Sequence, residues 1–387
     1  MDIPKTRTVS SIEDCSDFID GCLFMSTGGG GDPGTGTRIL EAALAEGLDL
    51  GWIDMDLVSD RTLTAMVYGM GSIAPAGADQ HELLCSLEVG TTRRSEAQGM
   101  QEAVRVLSEH LGEPIGCIVV SELGAYNSPA PLVVAARLGI PVVDGDYSGR
   151  AVPEEMQSTP HVYGVASDPL ASVDQWDNTT IVAKAANSYM LERVGRHLSM
   201  AGITGTAVAS TAIRARRMKE ILVPGTLTQC LEIGRACRLA VDAGTDPVDA
   251  ALEIVDGWRL FEGTVTDKCW EDSGGFMVGT LDVIGTGPSS GHSLRLWFKN
   301  EIHVTWLDGR PWVCSPDLVT LVNPDAGRGY TNTDIDVGDM VVAVGMRGLD
   351  AMREKRILAS ASGPAYFGFD VAYIPIEHLM ETRGDRE

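Results

Sequence analysis

Short apolar runs alternate with polar, glycine-containing loops over the first part of the chain. Between Ile115 and Val143 an apolar β-branched run, a helical stretch from about Pro129 to Leu138 and a second apolar run follow one another. This order predicts a βαβ unit whose two strands lie parallel in one sheet. Ligands bind at the carboxyl ends of such strands. The loops 122–127 and 144–150 are therefore candidate site loops.

The same alternation covers the residues on the amino-terminal side of this unit. Apolar periodicity predicts helices over Thr37–Glu46 and Ser95–Leu111. Strands are predicted over Cys22–Met25, Leu50–Met55 and Leu63–Tyr68. Alternating strands and helices favour a mostly parallel sheet with helices on its faces. We therefore predict an α/β domain over residues 1–165.

Residues 166–387 follow a different pattern, which predicts a mixed C-terminal domain. Short strands over His161–Val165 and Thr179–Ala183 mark the change. A helical insert at about 188–256 follows, with helices over Ser188–Met200, Thr211–Glu220 and Leu227–Ala243. From residue 257 onwards, short apolar runs are separated by Gly, Pro and Asp turns: Phe276–Ile284, Ser293–Phe298, Ile302–Leu307, Leu318–Val322 and Met340–Val344. That spacing is typical of an all-β sandwich or barrel-like part.

Composition narrows the class of partner. The formal net charge is −24, and an acidic surface repels phosphate backbones, so nucleic acid is excluded. No apolar run approaches the ~20 residues that span a bilayer, and the first residues lack the apolar stretch of a signal peptide. We therefore expect a cytoplasmic protein without a membrane partner.

A glycine-rich segment, residues 26–36, lies between two predicted elements. Gly29, Gly31 and Gly34 satisfy the GxGxxG spacing of a dinucleotide site, and Asp54 follows twenty residues after Gly34. Asp32 places a carboxylate where pyrophosphate would bind, and Pro33 removes an amide donor, so a nucleotide cofactor is disfavoured. A site loop for a small polar ligand and a plain tight turn are the alternatives.

Acidic residues stand in both candidate site loops. Asp144 and Asp146, one residue apart, are candidates for a general acid and base or for binding a hard cation. A turn rich in Asp would give the same spacing. Arg150 is a candidate clamp for a substrate carboxylate, or a partner of Asp146 or Glu154. Glu122 is costly to bury unless paired, so it is either solvated or functional.

Histidines offer no ready-made metal motif. None of the seven forms an HxH or HxxxH pair. A divalent metal would need ligands assembled from distant positions, with Asp144, Asp146, His81 and His161 as candidates. Helix-start placement is the ordinary interpretation of His81, and a hairpin turn that of Asn300-Glu301.

Several motifs together resemble the S-methyl-thiohydantoin desulfurase family, often found near hydantoinase and oxoprolinase-like genes. The set, in order along nearly the whole chain, is Gly28–Pro33, Glu122-x-Gly-x-x-Asn127, Pro141–Asp146, Gly149–Glu154, Gly274–Phe276, Asn300-Glu301, Pro316–Leu318, Gly363-Pro364 and Phe367–Asp370. Tyr147, Ser148 and Val152 depart from the family pattern, as does Ala125, and these changes could alter the pocket.

The resemblance implies a hydrolase that releases methanethiol from an S-methyl-thiohydantoin and leaves a hydantoin, in thiohydantoin or ergothioneine-type catabolism. Water attack would be assisted by Asp144 or Asp146, with Glu122 next. Thiolate attack by Cys117 or Cys22 ranks lower, since no histidine stands beside them in the sequence. The candidate binding groups for the substrate are Gly28, Gly29, Gly30, Gly31, Asp32, Asn127, Arg150 and Glu154, with Arg150 holding a pendant carboxylate.

Two other functions remain open at this point. The chain could be a non-catalytic or cooperating subunit of a hydantoinase or oxoprolinase-type cyclic amide hydrolase, or a nucleotide-binding oxidoreductase. We expect a small cyclic substrate, a homo-oligomer and a possible hydantoinase-type partner.

Overall fold

The structure is a computed structural model that describes residues 6–75, 83, 86, 94–203 and 205–384. Its main helices are α1 (Ile12–Met25), α2 (Pro33–Ala45), α3 (Glu96–Leu111), α4 (Pro129–Leu138), α5 (Thr159–Val162), α6 (Ser188–Ala201), α7 (Ala215–Ile221), α8 (Thr226–Ala243), α9 (Pro247–Val255), α10 (Asp350–Arg353), α11 (Lys355–Ile357) and α12 (Ile376–Gly384). Within the described ranges, no helix combines the length and apolar composition that crossing a membrane requires.

Within the described residues, the strands form two large sheets and two short pairs. They are β1 (Arg7–Val9), β2 (Leu50–Trp52), β3 (Leu63–Met70), β4 (Cys117–Val120), β5 (Gly145–Asp146), β6 (Leu170–Asp174), β7 (Thr179–Val182), β8 (Thr206–Arg214), β9 (Val223–Pro224), β10 (Trp258–Ser273), β11 (Phe276–Gly285), β12 (Ser293–Lys299), β13 (Glu301–Leu307), β14 (Arg310–Cys314), β15 (Leu318–Val322) and β16 (Met340–Met346).

The first large sheet is mixed, with the strand order β4-β3-β8-β6-β7. β3 and β4 pair in parallel, and parallel bridges join Ile118 to Val142 and Ile53 to Val143. The parallel character of the predicted βαβ unit is therefore confirmed. The remaining pairs, β3 with β8, β8 with β6 and β6 with β7, are antiparallel. The prediction of a mostly parallel sheet is therefore wrong for this part of the sheet. A short turn joins β6 to β7, and a hairpin connection permits only antiparallel pairing.

Helices cover this sheet and supply its largest apolar core. α3 packs on β6 and β8, and α4 packs against α2 and α3. α1 and α8 run close together because glycines face the partner backbone at their crossing. A Cβ on Gly21 would lie 1.7 Å from the carbonyl oxygen of Cys230, and one on Gly234 would lie 1.8 Å from that of Asp17. The two helices are therefore closely packed, and α8 contacts β5 within the 144–150 loop.

The second large sheet is antiparallel throughout, in the order β14-β13-β12-β11-β10-β16-β15. It curls so that the edge strand β15 contacts β13 and β14, and its concave face holds a second apolar core. Along β12, buried and exposed side chains alternate, as expected for a sheet with one face in water. The barrel-like end of the chain is therefore confirmed as a curled sheet.

Two predicted strands are wrong, and one predicted helix starts four residues too early. Cys22–Met25 is the last turn of α1, which is buried nearly all round, so its apolar run hides the helical period. His161–Val165 begins inside the short helix α5. Residues 211–214 belong to β8, and the helix starts at Ala215. The division of the chain at residue 165 stays a prediction.

Candidate active site

The glycine loop is a packing junction between distant segments. It leaves α1 with positive φ angles of 95° at Gly28, 76° at Gly30 and 91° at Gly31, which glycine tolerates best. The carbonyl oxygen of Gly30 accepts the backbone N–H groups of Tyr126 at 3.0 Å and Asn127 at 3.2 Å. A Cβ on Gly29 would lie 1.8 Å from Oε1 of Glu301. The loop thus brings the 122–127 segment and the start of β13 together.

This loop lacks the surroundings of a dinucleotide fingerprint. It follows a helix, whereas the Rossmann motif requires a preceding strand. Asp32 caps α2, because its Oδ2 accepts the N–H of Thr35 at 2.6 Å. The capping carboxylate occupies the helix terminus where a phosphate would bind.

A cavity of about 270 Å³ opens beside the loop. Its volume lies near the small end of ligand pockets, which span roughly 300–1,000 Å³. Seven of the sequence-predicted site residues line this cavity: Gly29, Gly30, Gly31, Asp32, Glu122, Asn127 and Glu154. The described lining does not include Gly28, Asp144, Asp146 or Arg150.

Glu122 is the predicted catalytic residue that reaches the cavity. It follows β4 and is 6 % exposed. Its Oε1 accepts Asn127 Nδ2 at 2.6 Å, and its Oε2 accepts the N–H of Val152 at 2.6 Å. Asn127 is itself fixed, since its Oδ1 accepts the N–H of Gly69 at 2.9 Å. Burial raises the pKa of Glu122 to about 7, against the lowering effect of these hydrogen bonds.

Glu301 is a second buried carboxyl group in the same cavity, and its role was missed from the sequence. Asn300, with a φ of 57°, makes the tight turn between β12 and β13 and so places Glu301 at the start of β13. Glu301 is 2 % exposed, and its Oε2 has no hydrogen-bond partner among the described residues. Burial, reinforced by Glu122, raises the pKa of Glu301 well above its usual range. Asn300-Glu301 is one of the motifs shared with the family, and this motif was the signal in the sequence that could have identified Glu301.

Glu155 and Glu192 form a further acidic cluster in the cavity wall. One oxygen of Glu155 accepts the hydroxyl of Tyr68, and the Ser167 hydroxyl is close enough to lower the pKa of the same carboxyl group. Burial, with Glu192 nearby, raises the pKa of Glu155 to about 7. The N–H of Glu155 donates to Oε2 of Glu192 at 3.2 Å. Sequence reasoning did not find this cluster, because α6 contributes Glu192 from outside the predicted site loops.

Arg196 is a cation in the described cavity lining, and its guanidinium is fully engaged. Its Nη2 lies 2.8 Å from Oε1 of Glu192, and its plane stacks 4.0 Å from the ring centre of Phe276. Its other hydrogen bonds go to the backbone oxygens of Gly71, Pro153 and Gly275. All five N–H groups therefore have protein acceptors.

Arg150 holds the interior together and does not face the main cavity. It is 5 % exposed, and burial lowers the pKa of its guanidinium to about 10. It lines a separate cavity of about 50 Å³. Its five N–H groups donate to the backbone oxygens of Ala151, Ile302 and Asp317 and the hydroxyls of Thr27 and Ser315. No donor is left for a substrate carboxylate.

Asp146 is fully buried within its own turn. Its Oδ2 accepts the N–H groups of Ser148 at 2.8 Å and Gly149 at 2.7 Å, and its Oδ1 accepts the Thr226 hydroxyl at 2.9 Å. Burial raises the pKa of Asp146, although these three donors favour the charged form. Its contacts are those of a turn, so its catalytic role stays a prediction without geometric support.

Asp144 ties the same loop to the start of α8. Its Oδ1 accepts the N–H groups of Leu227 and Thr228 at 3.1 Å, and its Oδ2 accepts the Thr228 hydroxyl at 2.6 Å. Backbone N–H groups at a helix start are otherwise unsatisfied, so this carboxylate caps the helix. Its catalytic role likewise stays a prediction.

The remaining predicted groups lie apart from the cavity lining. Gly28 packs against Asn332. Cys117 and Cys22 are fully buried, and burial raises the pKa of Cys117 to about 12. The ring of His161 packs edge-on against Tyr189.

Metal binding was a further prediction. Asp144 and Asp146 are engaged as described, and His81 lies outside the described residues. In the described part of the chain, no three His, Cys, Asp or Glu side chains are grouped to hold a metal ion. The divalent metal therefore stays a prediction.

Buried carboxyl groups with pKa values near neutrality, around a polar cavity, define the class of site: one suited to acid–base chemistry. The model named S-Me-THD-like, N-terminal domain matches residues 13–184, and the model named S-Me-THD-like, C-terminal domain matches residues 186–376. The chain belongs to the S-Me-THD-like family, which confirms the resemblance drawn from its motifs.

A solved structure has a similar fold. A protein from Chromobacterium violaceum, determined by X-ray crystallography, superposes with a TM-score of 0.71 at 20 % identity, over 95 % of this chain and 99 % of that chain. At this identity the likeness concerns the fold alone. No curated protein matches the chain.

Proposed function

We propose that the chain is a hydrolase that cleaves the C–S bond of an S-methyl-thiohydantoin and yields methanethiol and a hydantoin. Family membership supports the substrate class. The observation that carries the proposal is the pair Glu122 and Glu301. Both are buried carboxyl groups in one cavity, and their negative charges would repel each other. Neighbouring carboxyl groups do not ionise together readily, so one serves as a base while the other keeps its proton.

Carbon 2 of the ring, bonded to nitrogen and to the methylthio group, is the electrophile. Ionised Glu122 takes one proton from water as the water oxygen bonds to carbon 2. Protonated Glu301 gives its proton to the ring nitrogen as the C=N π electrons move there. The C–S bond then breaks, Glu122 protonates the departing thiolate, and the hydroxyl proton returns to Glu301 as the carbonyl forms. One water is consumed, and both carboxyl groups regain their starting states.

Asn127 acts as a positioning residue in this scheme. Its amide nitrogen donates to Glu122 at 2.6 Å and to the carbonyl oxygen of Gly69 at 3.3 Å, so it orients the base. Backbone N–H groups of Gly30 and Gly31 would bind the ring oxygen, because both glycines line the cavity. Neither N–H has a partner among the described residues.

Thiol release from unsubstituted S-methyl-thiohydantoin tests the proposal. The uncharged parent ring is chosen so that the side chain of the substrate does not matter. Wild type should release thiol, detected with a thiol-reactive dye, and Glu122→Gln should lower kcat/KM by about 10²–10⁴-fold. Glu109→Gln, which neutralises an exposed carboxylate on α3, is the matched control and should behave like wild type.

Two results would contradict the proposal. Absence of thiol release above buffer would show that the chain does not catalyse this reaction alone. The alternative would then be a cooperating subunit of a cyclic amide hydrolase. Release that survives Glu122→Gln unchanged would remove Glu122 as the base.

A further inference from the structure

A short segment, residues 152–155, runs along the cavity and carries a backbone donor that holds the base. All four of its residues line the cavity. The N–H of Val152 donates to Oε2 of Glu122 at 2.6 Å. The orientation of the Glu122 carboxylate therefore depends on where this segment lies.

An ion pair on α6 fixes the 152–155 segment. Glu192 and Arg196 are one helical turn apart, and Nη2 of Arg196 lies 2.8 Å from Oε1 of Glu192. The same Nη2 donates to the carbonyl oxygen of Pro153 at 2.8 Å. Oε2 of Glu192 accepts the N–H of Glu155 at 3.2 Å. The ion pair thus holds the peptide groups on both sides of Glu154.

The guanidinium of Arg196 is itself held from both parts of the chain. Its Nη1 donates to the carbonyl oxygens of Gly71, which follows β3, and Gly275, in the turn between β10 and β11. Its plane lies over the ring of Phe276, 4.0 Å from the ring centre. Because every N–H group of Arg196 has a protein acceptor, none is left for a substrate. Arg196 can therefore influence the reaction only through its neighbours and its charge.

We propose that Arg196 is a positioning residue for the base: its contact with the carbonyl group of Pro153 keeps the Val152 N–H directed at Glu122. The inference rests on the proposed function, because it takes Glu122 as the base. The ring of Pro153 fixes its own φ and restricts the backbone of Val152. The connection between the two contacts is therefore stiff, and a displaced Pro153 carbonyl displaces the donor to Glu122.

The charge of Arg196 favours the same ionised base. The charged groups that act on the Glu122 carboxyl are the guanidiniums of Arg196 and Arg150 and the carboxyl groups of Glu301 and Asp146. Burial raises the pKa of Glu122, and both guanidiniums oppose this rise. Lysine at position 196 would keep the charge, but its single nitrogen cannot reach all the acceptors of the guanidinium. Methionine would remove both the contacts and the charge.

The amide signal of Val152 tests the contact without any turnover. In the full chain labelled with nitrogen-15 valine, this signal is identified by its loss in Val152→Ala. Its proton shift should change with pH as Glu122 ionises, with a midpoint at about pH 7. Arg196→Lys should reduce this change at least about twofold, since hydrogen bonds weaken steeply with poorer geometry. Arg196→Met should do the same and also raise the midpoint by roughly one pH unit.

Thiol release from the parent ring measures the consequence for the reaction. Both Arg196 variants should lower kcat by about 10–10²-fold per folded molecule, the cost of a misplaced catalytic group. KM should stay near wild type, because Arg196 has no donor for the substrate. Arg193→Lys and Arg193→Met, which replace an exposed arginine on the same helix, are the matched controls and should match wild type in both measurements.

The outcomes separate this inference from the proposed function. A Val152 signal without pH dependence in wild type overturns the inference. With an active wild type, so does a change in only one of the two measurements, or in neither, for the Arg196 variants. If wild type releases no thiol, the reaction is refuted, and the Val152 signal alone decides whether Arg196 positions Glu122. If Arg196→Met does not fold, which circular dichroism would show, Arg196→Lys decides.

Discussion

At the scale of single residues, burial decides which carboxyl groups can work as acids and bases. Glu122, Glu155 and Asp146 are all buried, and burial raises each pKa to about 7. Their hydrogen bonds and positions separate them. Asp146 is enclosed by three donors, whereas Glu122 and Glu155 line the cavity. A shifted pKa identifies a working group only when ligand can reach it.

The pH dependence of the reaction should follow Glu122 and Glu301. Glu122 must be ionised to act as a base, so kcat/KM for the parent ring should rise as pH increases through about 7. Glu301 must be protonated, and its pKa lies well above the ordinary value, so activity should fall again at higher pH. Initial rates of thiol release, measured from about pH 5 to the highest pH at which the protein stays folded, would show the rise near pH 7 and any later fall. A flat profile in wild type would contradict the paired roles.

Substitution of Asp146 should affect stability more than chemistry. In wild type, Ser148, Gly149 and Thr226 donate hydrogen bonds to the two carboxylate oxygens of Asp146. Asp146→Asn replaces one of these oxygens by an NH₂ group, which cannot accept them. We expect the free energy of unfolding to fall by about 1–3 kcal/mol. Urea unfolding measures this loss, and kcat per folded molecule should stay close to wild type. A fall of kcat like that of Glu122→Gln, without loss of stability, would restore Asp146 as a catalytic residue.

At the scale of elements, the glycine loop sets the position of Glu301. Gly29 leaves no room for a side chain beside Glu301 Oε1. At Gly34, on the first turn of α2, a Cβ would meet the flexible end of Arg38 at 3.3 Å and the Asp32 carboxylate at 3.5 Å, neither of which is a severe clash. The two positions therefore allow the same substitution to be compared with and without a clash.

Gly29→Ala should displace Glu301 and lower kcat by about 10²-fold, the cost of a misplaced catalytic group. Gly34→Ala should leave kcat near wild type. Thiol release under saturating parent ring measures both. Equal activity of the two variants would show that the contact between Gly29 and Glu301 does not matter for the reaction.

How much of the site could be predicted also depends on elements. Glu122 and Asn127 belong to a local βαβ unit, whose strand ends can be located from one stretch of sequence. Glu301 reaches the cavity only because β13 packs against the glycine loop, and Ile302 N–H donates to Thr27 at 2.8 Å. Nothing in local pattern predicts such pairing. The spacing of Asp144 and Asp146 is compatible with a helix cap and a turn as well as with catalysis. The sequence alone could therefore not distinguish these roles.

At the scale of the whole molecule, Arg150 joins the glycine loop to the curled sheet. Its guanidinium donates to Thr27 beside the loop and to Ile302 and Ser315 of the sheet region. Homo-oligomer formation and a hydantoinase-type partner stay predictions at this scale. The fold class was within reach of the sequence because strand and helix periods are local. The antiparallel half of the first sheet was not, because β8 joins it from far along the chain.

Arg150→Lys tests the joining role. Lysine keeps the charge but has three donors on one nitrogen and cannot reach acceptors spread over both regions. The free energy of unfolding should fall by about 3 kcal/mol, measured with denaturant. If Arg150 bound a substrate carboxylate instead, the variant would weaken binding of a hydantoin with a carboxyethyl side chain selectively and leave stability nearly unchanged.

The packing of the glycine loop between the 122–127 segment and β13 bears on how activity arises during folding. Glu122 and Glu301 are separated by nearly half of the described chain in sequence. The pair exists only after both sheets have formed and closed on the loop. Catalytic competence is therefore a late property of the folding chain, and recovery of thiol release in a refolding experiment reports closure of the two sheets more directly than recovery of secondary structure does.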